Sequence, residues 1–285
     1  MTPVAELDRR HLVLSHFSLD RHHPIDDRVA AAAQAGFDSI GLYIGHYRQL
    51  LDEGWSRQQL LELLDEHALT LSEIEVLRGW ATDAVDSDSY QAMETTAWDM
   101  ADTFGCRYVQ AIGPYEGTID DCASAFGALC DRAADHGLLV GLEFLPFTNI
   151  YDAADGMRVV HAADRDNGGL CVDIWHHTRG TNSAAELAAI PGDRIFCIQM
   201  NDGPDGQQID DYVQDCLRTR VPTGQGTFAV DDFVGTLLDN GANVPWSMEV
   251  CNDDVWGKPG DPAAAWCTAI AEAMRSTLAV AANQS

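Results

Sequence analysis

Four successive apolar runs of this chain each carry an acid or an amide near their end. Glu143 lies in "LLVGLEFLP", Asp173 in "GLCVDIW", Gln199 in "RIFCIQM" and Glu249 in "VPWSMEV", and His176 follows Asp173 by three residues. A single Asp after a strand is commonly a helix cap or turn residue, and a single Gln in a strand is commonly just hydrogen-bonded. A buried carboxylate is different, because it is costly unless its charge is compensated. Three carboxylates facing one point would repel unless a cation lay between them. The pattern therefore predicts one divalent metal ion on Glu143, Asp173, Gln199 and Glu249. An all-oxygen shell suits Mn²⁺ or Mg²⁺ best, with Co²⁺ or Zn²⁺ as further options. His176 would be aimed at whatever the metal binds, or would be a capping or surface histidine. His177 reads as a bystander.

These residues need a frame that turns them to one place. Short β-rich runs alternate with amphipathic segments along the whole chain. "LVLSHF" (12–17) precedes the helical "PIDDRVAAAAQAGF", and "DSIGLYI" precedes "SRQQLLELLDEHAL". The alternation continues to "VPWSMEV" and a last helix that begins at "DPAAAW". Eight βα units joined by short connections predict an α/β fold, a single (β/α)₈ TIM barrel spanning residues 1–285 as one domain. A doubly wound open sheet is the alternative. In a barrel the C-terminal ends of the strands form the site, which is where the four residues fall. The longest irregular stretch, 201–230, follows the seventh strand, a position where long loops usually serve function.

Composition excludes several classes. There are 45 acidic residues against 17 basic ones, a net charge of −28, and Lys258 is the sole lysine. Such a surface repels nucleic acid and anionic membranes. The partner expected is a small polar molecule, with a homo-oligomer possible. A Schiff-base aldolase needs a buried strand lysine, and "VWGKPG" puts Lys258 in a loop. The eight cysteines form no C-x-x-C pair and read as reduced, buried thiols. No stretch has the shape of a signal peptide or membrane span, so the expected location is the cytoplasm. "TGQG" (223–226) reads as a turn, or as a phosphate site near the last strands. "LYIGHYRQLLDEGWS" (42–56) reads as a loop that lids the site or makes a dimer contact.

The order Glu143, then Asp173-x-x-His176, then a ligand on the seventh strand, then Glu249 resembles the xylose isomerase-like TIM-barrel superfamily. That group includes sugar isomerases, ketose 3-epimerases, inosose dehydratases, 3-dehydroshikimate dehydratases and endonuclease IV. The resemblance implies that Glu143 and Glu249 bind metal and move protons, that Asp173 binds metal and that His176 contacts substrate. The epimerases usually carry histidine where this chain has Gln199. Glutamine there is similar to the bacterial 3-dehydroshikimate dehydratases, in which the residue matching His176 acts in catalysis. An arginine after the seventh strand binds substrate in those enzymes; Arg218 would match it, with Arg220 as near competitor. Endonuclease IV needs a histidine-rich zinc cluster and a basic face, and this sequence shows neither.

The shared chemistry is proton abstraction next to a carbonyl through a metal-stabilised enediolate. Three readings follow. The first is a sugar or polyol isomerase or epimerase, with Glu143, His176 and Glu249 catalytic. The second is a lyase of the 3-dehydroshikimate or inosose type. The third is a non-catalytic sugar-binding barrel, against which the retention of all three acids and His176 argues. A carboxylate substrate wants guanidinium groups, and Arg78 and Arg218 are the candidates. A neutral sugar wants polar and aromatic rim residues such as His16, Tyr43, Trp80, Gln110 and Trp256, each of which could equally be core.

Overall fold

A computed structural model describes residues 7–20, 23–253 and 261–284. Eight parallel strands close into a barrel in chain order: β1 (Leu12–Leu14), β2 (Ser39–Tyr43), β3 (Thr70–Arg78), β4 (Tyr108–Ile112), β5 (Leu139–Glu143), β6 (Gly168–Asp173), β7 (Ile195–Met200) and β8 (Trp246–Met248). The ring closes where β1 pairs with β8, Leu14 opposite Met248. The helices are α1 (Ile25–Ala35), α2 (Ile44–Asp52), α3 (Arg57–Glu66), α4 (Asp88–Phe104), α5 (Ile119–Ala134), α6 (Ala153–Ala163), α7 (Ile174–Arg179), α8 (Ala184–Ala188), α9 (Tyr212–Arg218), α10 (Val230–Asp239) and α11 (Asp261–Gln284). This is the (β/α)₈ barrel that the alternation predicts. Its strands are apolar without period two because helices cover one face and barrel core fills the other.

Local chemistry sets the helix starts. Ser56 and Gln59 exchange hydrogen bonds in a capping box at α3, and Thr118 and Asp121 do so at α5. Among the described residues, no helix is long and apolar enough to cross a membrane. All eight cysteines are buried and free.

Three details differ from the sequence reading. Residues 44–52, expected as loop, form α2, because Ile44, Tyr47 and Leu50 recur at helical spacing and are buried together. Tyr47 packs edge-on to Phe104 and donates to Asp99 at 2.7 Å, which ties α2 to α4. The first strand stops at Leu14, and His16–Ser18 form a 3-10 turn. The long stretch after β7 contains α9 and is pinned by one carboxylate. Asp202 Oδ1 accepts the backbone N–H of Gly203 (2.8 Å) and Phe228 (2.9 Å), and Oδ2 accepts those of Gly224 and Gly226 (both 3.0 Å). The N–H groups of "TGQG" that could have held a phosphate are therefore filled from within the chain. Gly226 is required there, since a Cβ would lie 2.2 Å from the Gly203 carbonyl oxygen and 2.3 Å from Asp202 Oδ1.

The barrel interior is not wholly apolar. Glu73 accepts hydrogen bonds from Ser247 Oγ at 2.7 Å and Cys197 Sγ at 3.7 Å and has no cation partner among the described residues. Burial pushes its carboxyl up to about 7 from 4.5, against the pull of the Ser247 and Cys197 hydrogen bonds. The folded state therefore keeps a proton that the unfolded chain releases. Stability from this group is full below pH 4.5 and is lost as the pH rises to 7. The difference is roughly 3 kcal/mol. Urea unfolding at pH 4.5 and pH 8 should show the wild type losing about that much more than Glu73→Gln; equal losses would show that Glu73 titrates normally.

Candidate functional site

Strand register brings the polar residues together. Asp173 pairs with Gln199 across β6 and β7, and Gln199 pairs with Ser247 across β7 and β8. Glu249 directly follows β8, and Glu143 ends β5. Asp173 is both a helix cap and a site residue. Its Oδ1 caps α7 by accepting the Trp175 N–H at 2.8 Å, and it also accepts Asn201 Nδ2 at 2.9 Å. Its Oδ2 faces the site, 3.6 Å from His176 Nε2. The same imidazole nitrogen is 3.3 Å from Glu143 Oε1. His176 Nδ1 is 2.8 Å from the Tyr212 hydroxyl of α9, whose ring stacks beside it.

One guanidinium dominates the electrostatics. Arg220 Nη1 donates to Asp173 Oδ2 at 2.8 Å, to Glu249 Oε2 at 2.9 Å and to the Glu249 carbonyl at 3.1 Å. Its Nε and Nη2 are held by the Cys216 carbonyl (3.0 Å) and thiol (2.9 Å), and it packs over the Trp175 ring. Burial would lower the Arg220 pKa, but Asp173, Cys216 and Glu249 outweigh it and raise it well above the ordinary value. Burial pushes Glu249 up to about 8, against the pull of Arg220. Burial would also lower His176, yet Tyr212, Cys216 and Glu143 outweigh it and hold it well above its usual range.

Glu143, Asp173 and His176 each offer a ligand atom within 4.8 Å of the others, all buried. Two carboxylates and an imidazole so placed fit a divalent cation, and this group could bind one. His176 stands among these donors, while Glu249 is paired with Arg220. The Gln199 oxygen accepts from Gln110 Nε2 at 3.3 Å and Cys171 Sγ at 3.2 Å, and its amide nitrogen is buried without a partner. Gln110 also donates to Glu143 Oε2 at 2.9 Å, and Tyr115 donates to the Glu143 backbone carbonyl.

A cavity of about 450 Å³ opens over these groups, lined by Arg78, Gln110, Glu143, His176, Arg220 and Glu249 among apolar walls. Arg218, expected to face substrate, lies outside it. Arg218 ends α9 half exposed and 3.5 Å from Asp253, while the chain turns back after the helix and drives Arg220 inward. His16 is fully buried beside Phe17, Tyr43 and His46 and does not line the cavity; Phe17 does. Trp80 is core, packed on Tyr115 and Phe126. Trp256 and Lys258 fall outside the described residues. The sequence reading missed Tyr212 and Cys216, which polar spacing alone does not mark.

A closed parallel barrel with buried acids and a histidine at its strand ends is a TIM barrel with a group that could hold a metal. The family model described as "Xylose isomerase-like TIM barrel" matches residues 29–277, and the chain belongs to that family. A 3-dehydroshikimate dehydratase of Pseudomonas putida is 24% identical over 249 residues, 82% of this chain and 37% of that protein. An inosose isomerase of Halalkalibacterium halodurans is 28% identical over 135 residues, 45% of each. The chain thus spans less than half the length of these curated relatives. The crystal structure of the IolI protein with a bound zinc atom superposes with a TM-score of 0.82 at 17% identity, covering 95% of this chain and 98% of that one.

Removing Arg220 would leave two buried carboxylates uncompensated. Arg220→Met should cost about 3–5 kcal/mol in metal-free protein, and saturating Mn²⁺ should narrow the gap to wild type in a urea titration. A loss below about 1 kcal/mol would show that the guanidinium is not what balances Asp173 and Glu249. Glu143→Gln should weaken Mn²⁺ binding by at least about tenfold, measured by electron paramagnetic resonance; wild-type affinity would remove Glu143 from the metal group.

Proposed function

We propose that the barrel is a metal-dependent lyase that removes water from a carboxylate-bearing hydroxyketone, the reaction type of the 3-dehydroshikimate dehydratases. Arg78 carries this reading. It closes β3 at the cavity wall, is exposed to solvent, and has no hydrogen-bond or ion-pair partner among the described residues. An unpaired guanidinium on a chain of charge −28 is a ready anchor for a carboxylate. The remaining walls include Phe17, Val76, Ile112, Leu145, Phe147 and Leu217. They suit a ring with few hydroxyl groups better than a sugar that needs a partner at every carbon.

In this reading Glu143 and Asp173 would hold a divalent cation, Mn²⁺ or Mg²⁺, and Gln199 and Glu249 would complete its oxygen ligands by giving up part of their hydrogen bonding to Gln110, Cys171 and Arg220. When bound, the ion supplies Lewis-acid polarisation of the substrate carbonyl. With a cation bound beside it, His176 would lose its own proton; it would then take the proton beside that carbonyl and return it to the departing hydroxyl, which leaves as water, with its ring fixed by the Tyr212 hydroxyl at 2.8 Å. Arg220 keeps Asp173 and Glu249 from repelling each other, and the cavity mouth beside Arg78 takes the carboxylate.

A second reading, isomerisation or epimerisation of a sugar-like polyol, draws on Glu143 and Glu249 both lining the cavity. Two carboxylates at one cavity can give and take protons on different faces of a substrate. Metal-loaded protein in D₂O with 3-dehydroshikimate, inososes and ketoses, followed by ¹H NMR, separates the two. A new vinylic or aromatic signal is the expected result, and deuterium exchange beside a carbonyl without loss of water would favour the isomerase instead. Arg78→Met should raise KM for the carboxylated substrate by about 10–100-fold with little change in kcat. An equal effect on neutral ketoses would reject the anchor. His176→Asn should retain Mn²⁺ and lose most of kcat; loss of Mn²⁺ would make His176 a ligand.

A further inference from the structure

Two ionisable side chains are buried without an ion-pair partner among the described residues, and both end on the backbone of His16. Glu75 on β3 and Arg28 on α1 are each 0% exposed and have no ion-pair partner among the described residues. Glu75 Oε1 accepts the His16 N–H at 2.9 Å, and its Oε2 accepts Ser15 Oγ at 3.0 Å. Arg28 Nη1 donates to the His16 carbonyl at 2.6 Å, and Nη2 to the Asp20 carbonyl at 2.7 Å. The carboxyl group reaches β1 by passing over β2 at Gly41, where a Cβ would lie 1.8 Å from Glu75 Oε1. Any side chain at position 41 would close that path. Burial, with Glu73 and Glu249 nearby, holds the Glu75 carboxyl well above its ordinary range, so the neutral acid sits here; burying it together with the Arg28 guanidinium is still costly, and an apolar plug would fill the space at lower cost. The arrangement has to be explained by what the turn at 15–18 holds.

That turn holds the strand end bearing Glu249. Ser18 Oγ donates to the Met248 carbonyl at 2.6 Å and accepts the Val250 N–H at 2.8 Å. These are the residues on either side of Glu249. Ser15 N–H reaches the same Met248 carbonyl at 3.1 Å. β8 ends at Met248, so beyond it the chain lacks the sheet ladder that would fix Glu249. The Glu249 N–H still reaches the Met200 carbonyl at 3.1 Å, and Arg220 Nη1 holds the Glu249 carbonyl at 3.1 Å and Oε2 at 2.9 Å, so Ser18 fixes the backbone on either side of a residue that Arg220 holds at its own atoms.

We infer that Ser18 is a positioning residue that fixes the direction of Glu249 into the site, and that Glu75 and Arg28 hold the Ser18 turn in register for it. The inference rests on the reading of Glu249 as a group that meets metal or substrate. Three variants separate the two ideas: Ser18→Ala, the hydroxyl-retaining Ser18→Thr, and Glu249→Gln as the control. Mn²⁺ affinity is read by electron paramagnetic resonance, folding by thermal melting, and kcat and KM on the active substrate of the panel.

Ser18→Ala should melt within a few degrees of wild type, bind Mn²⁺ about tenfold more weakly, and lose about 10–100-fold in kcat with KM changed less than about threefold. Ser18→Thr should restore most of both losses. If Glu249→Gln loses metal or turnover while Ser18→Ala matches wild type in both, or only melts earlier, the positioning role is overturned and the reading of Glu249 stands. If Glu249→Gln itself matches wild type in Mn²⁺ affinity and kcat, the reading of Glu249 falls and the inference falls with it.

Discussion

Arg220 sits where two buried carboxylates would otherwise repel. Its Nη1 lies within 2.9 Å of both Asp173 Oδ2 and Glu249 Oε2, and its other nitrogens are held by Cys216. Without a cation there, β6 and β8 could not present their acids to the same cavity in a dry barrel mouth. The guanidinium's planar fork suits the task, because it meets several acceptors at once from one rigid group. Asp173 uses its remaining oxygen to cap α7. The same side chain that starts the helix thereby fixes where His176 lies.

The loops around the mouth follow the same economy. Asp202 satisfies four backbone N–H groups of the stretch after β7, which carries α9 and, just beyond it, Arg220. Tyr212 at the start of α9 meets His176, and Cys216 one turn later meets Arg220. One anchored loop therefore sets both the histidine and the arginine. A second loop, after β1, is set by Glu75 and Arg28 through the backbone N–H and carbonyl of His16.

Acids and a histidine gathered at one cavity are compatible with more than one reaction, and the relatives bear names of both dehydratase and isomerase type. Discrimination in such a site falls to the walls, since the same acids and histidine can return a proton or let a hydroxyl leave. Here the walls combine apolar side chains with the unpaired guanidinium of Arg78.

The barrel was legible from the alternation of elements, and the strand-end residues Glu143, Asp173, Gln199 and Glu249 were legible because polar groups inside apolar runs need a reason. Arg28 and Glu75 carried a similar signal. Arg28 lies on the apolar face of α1 with Ile25, Val29 and Ala32, and Glu73 and Glu75 share one face of β3. What the sequence could not decide was direction. Arg218 and Arg220 are two residues apart, and the end of α9 turns one to solvent and the other to Asp173. The role of 44–52 as helix, the filling of the "TGQG" turn by Asp202 and the entry of His176 among the metal-capable donors were likewise set by contacts between distant segments. Sequence by itself determined the barrel and which polar residues fall at its strand ends, because period and polarity are local. Tertiary structure decided which of those residues meet, because meeting depends on where each loop returns and on which charge can be compensated there.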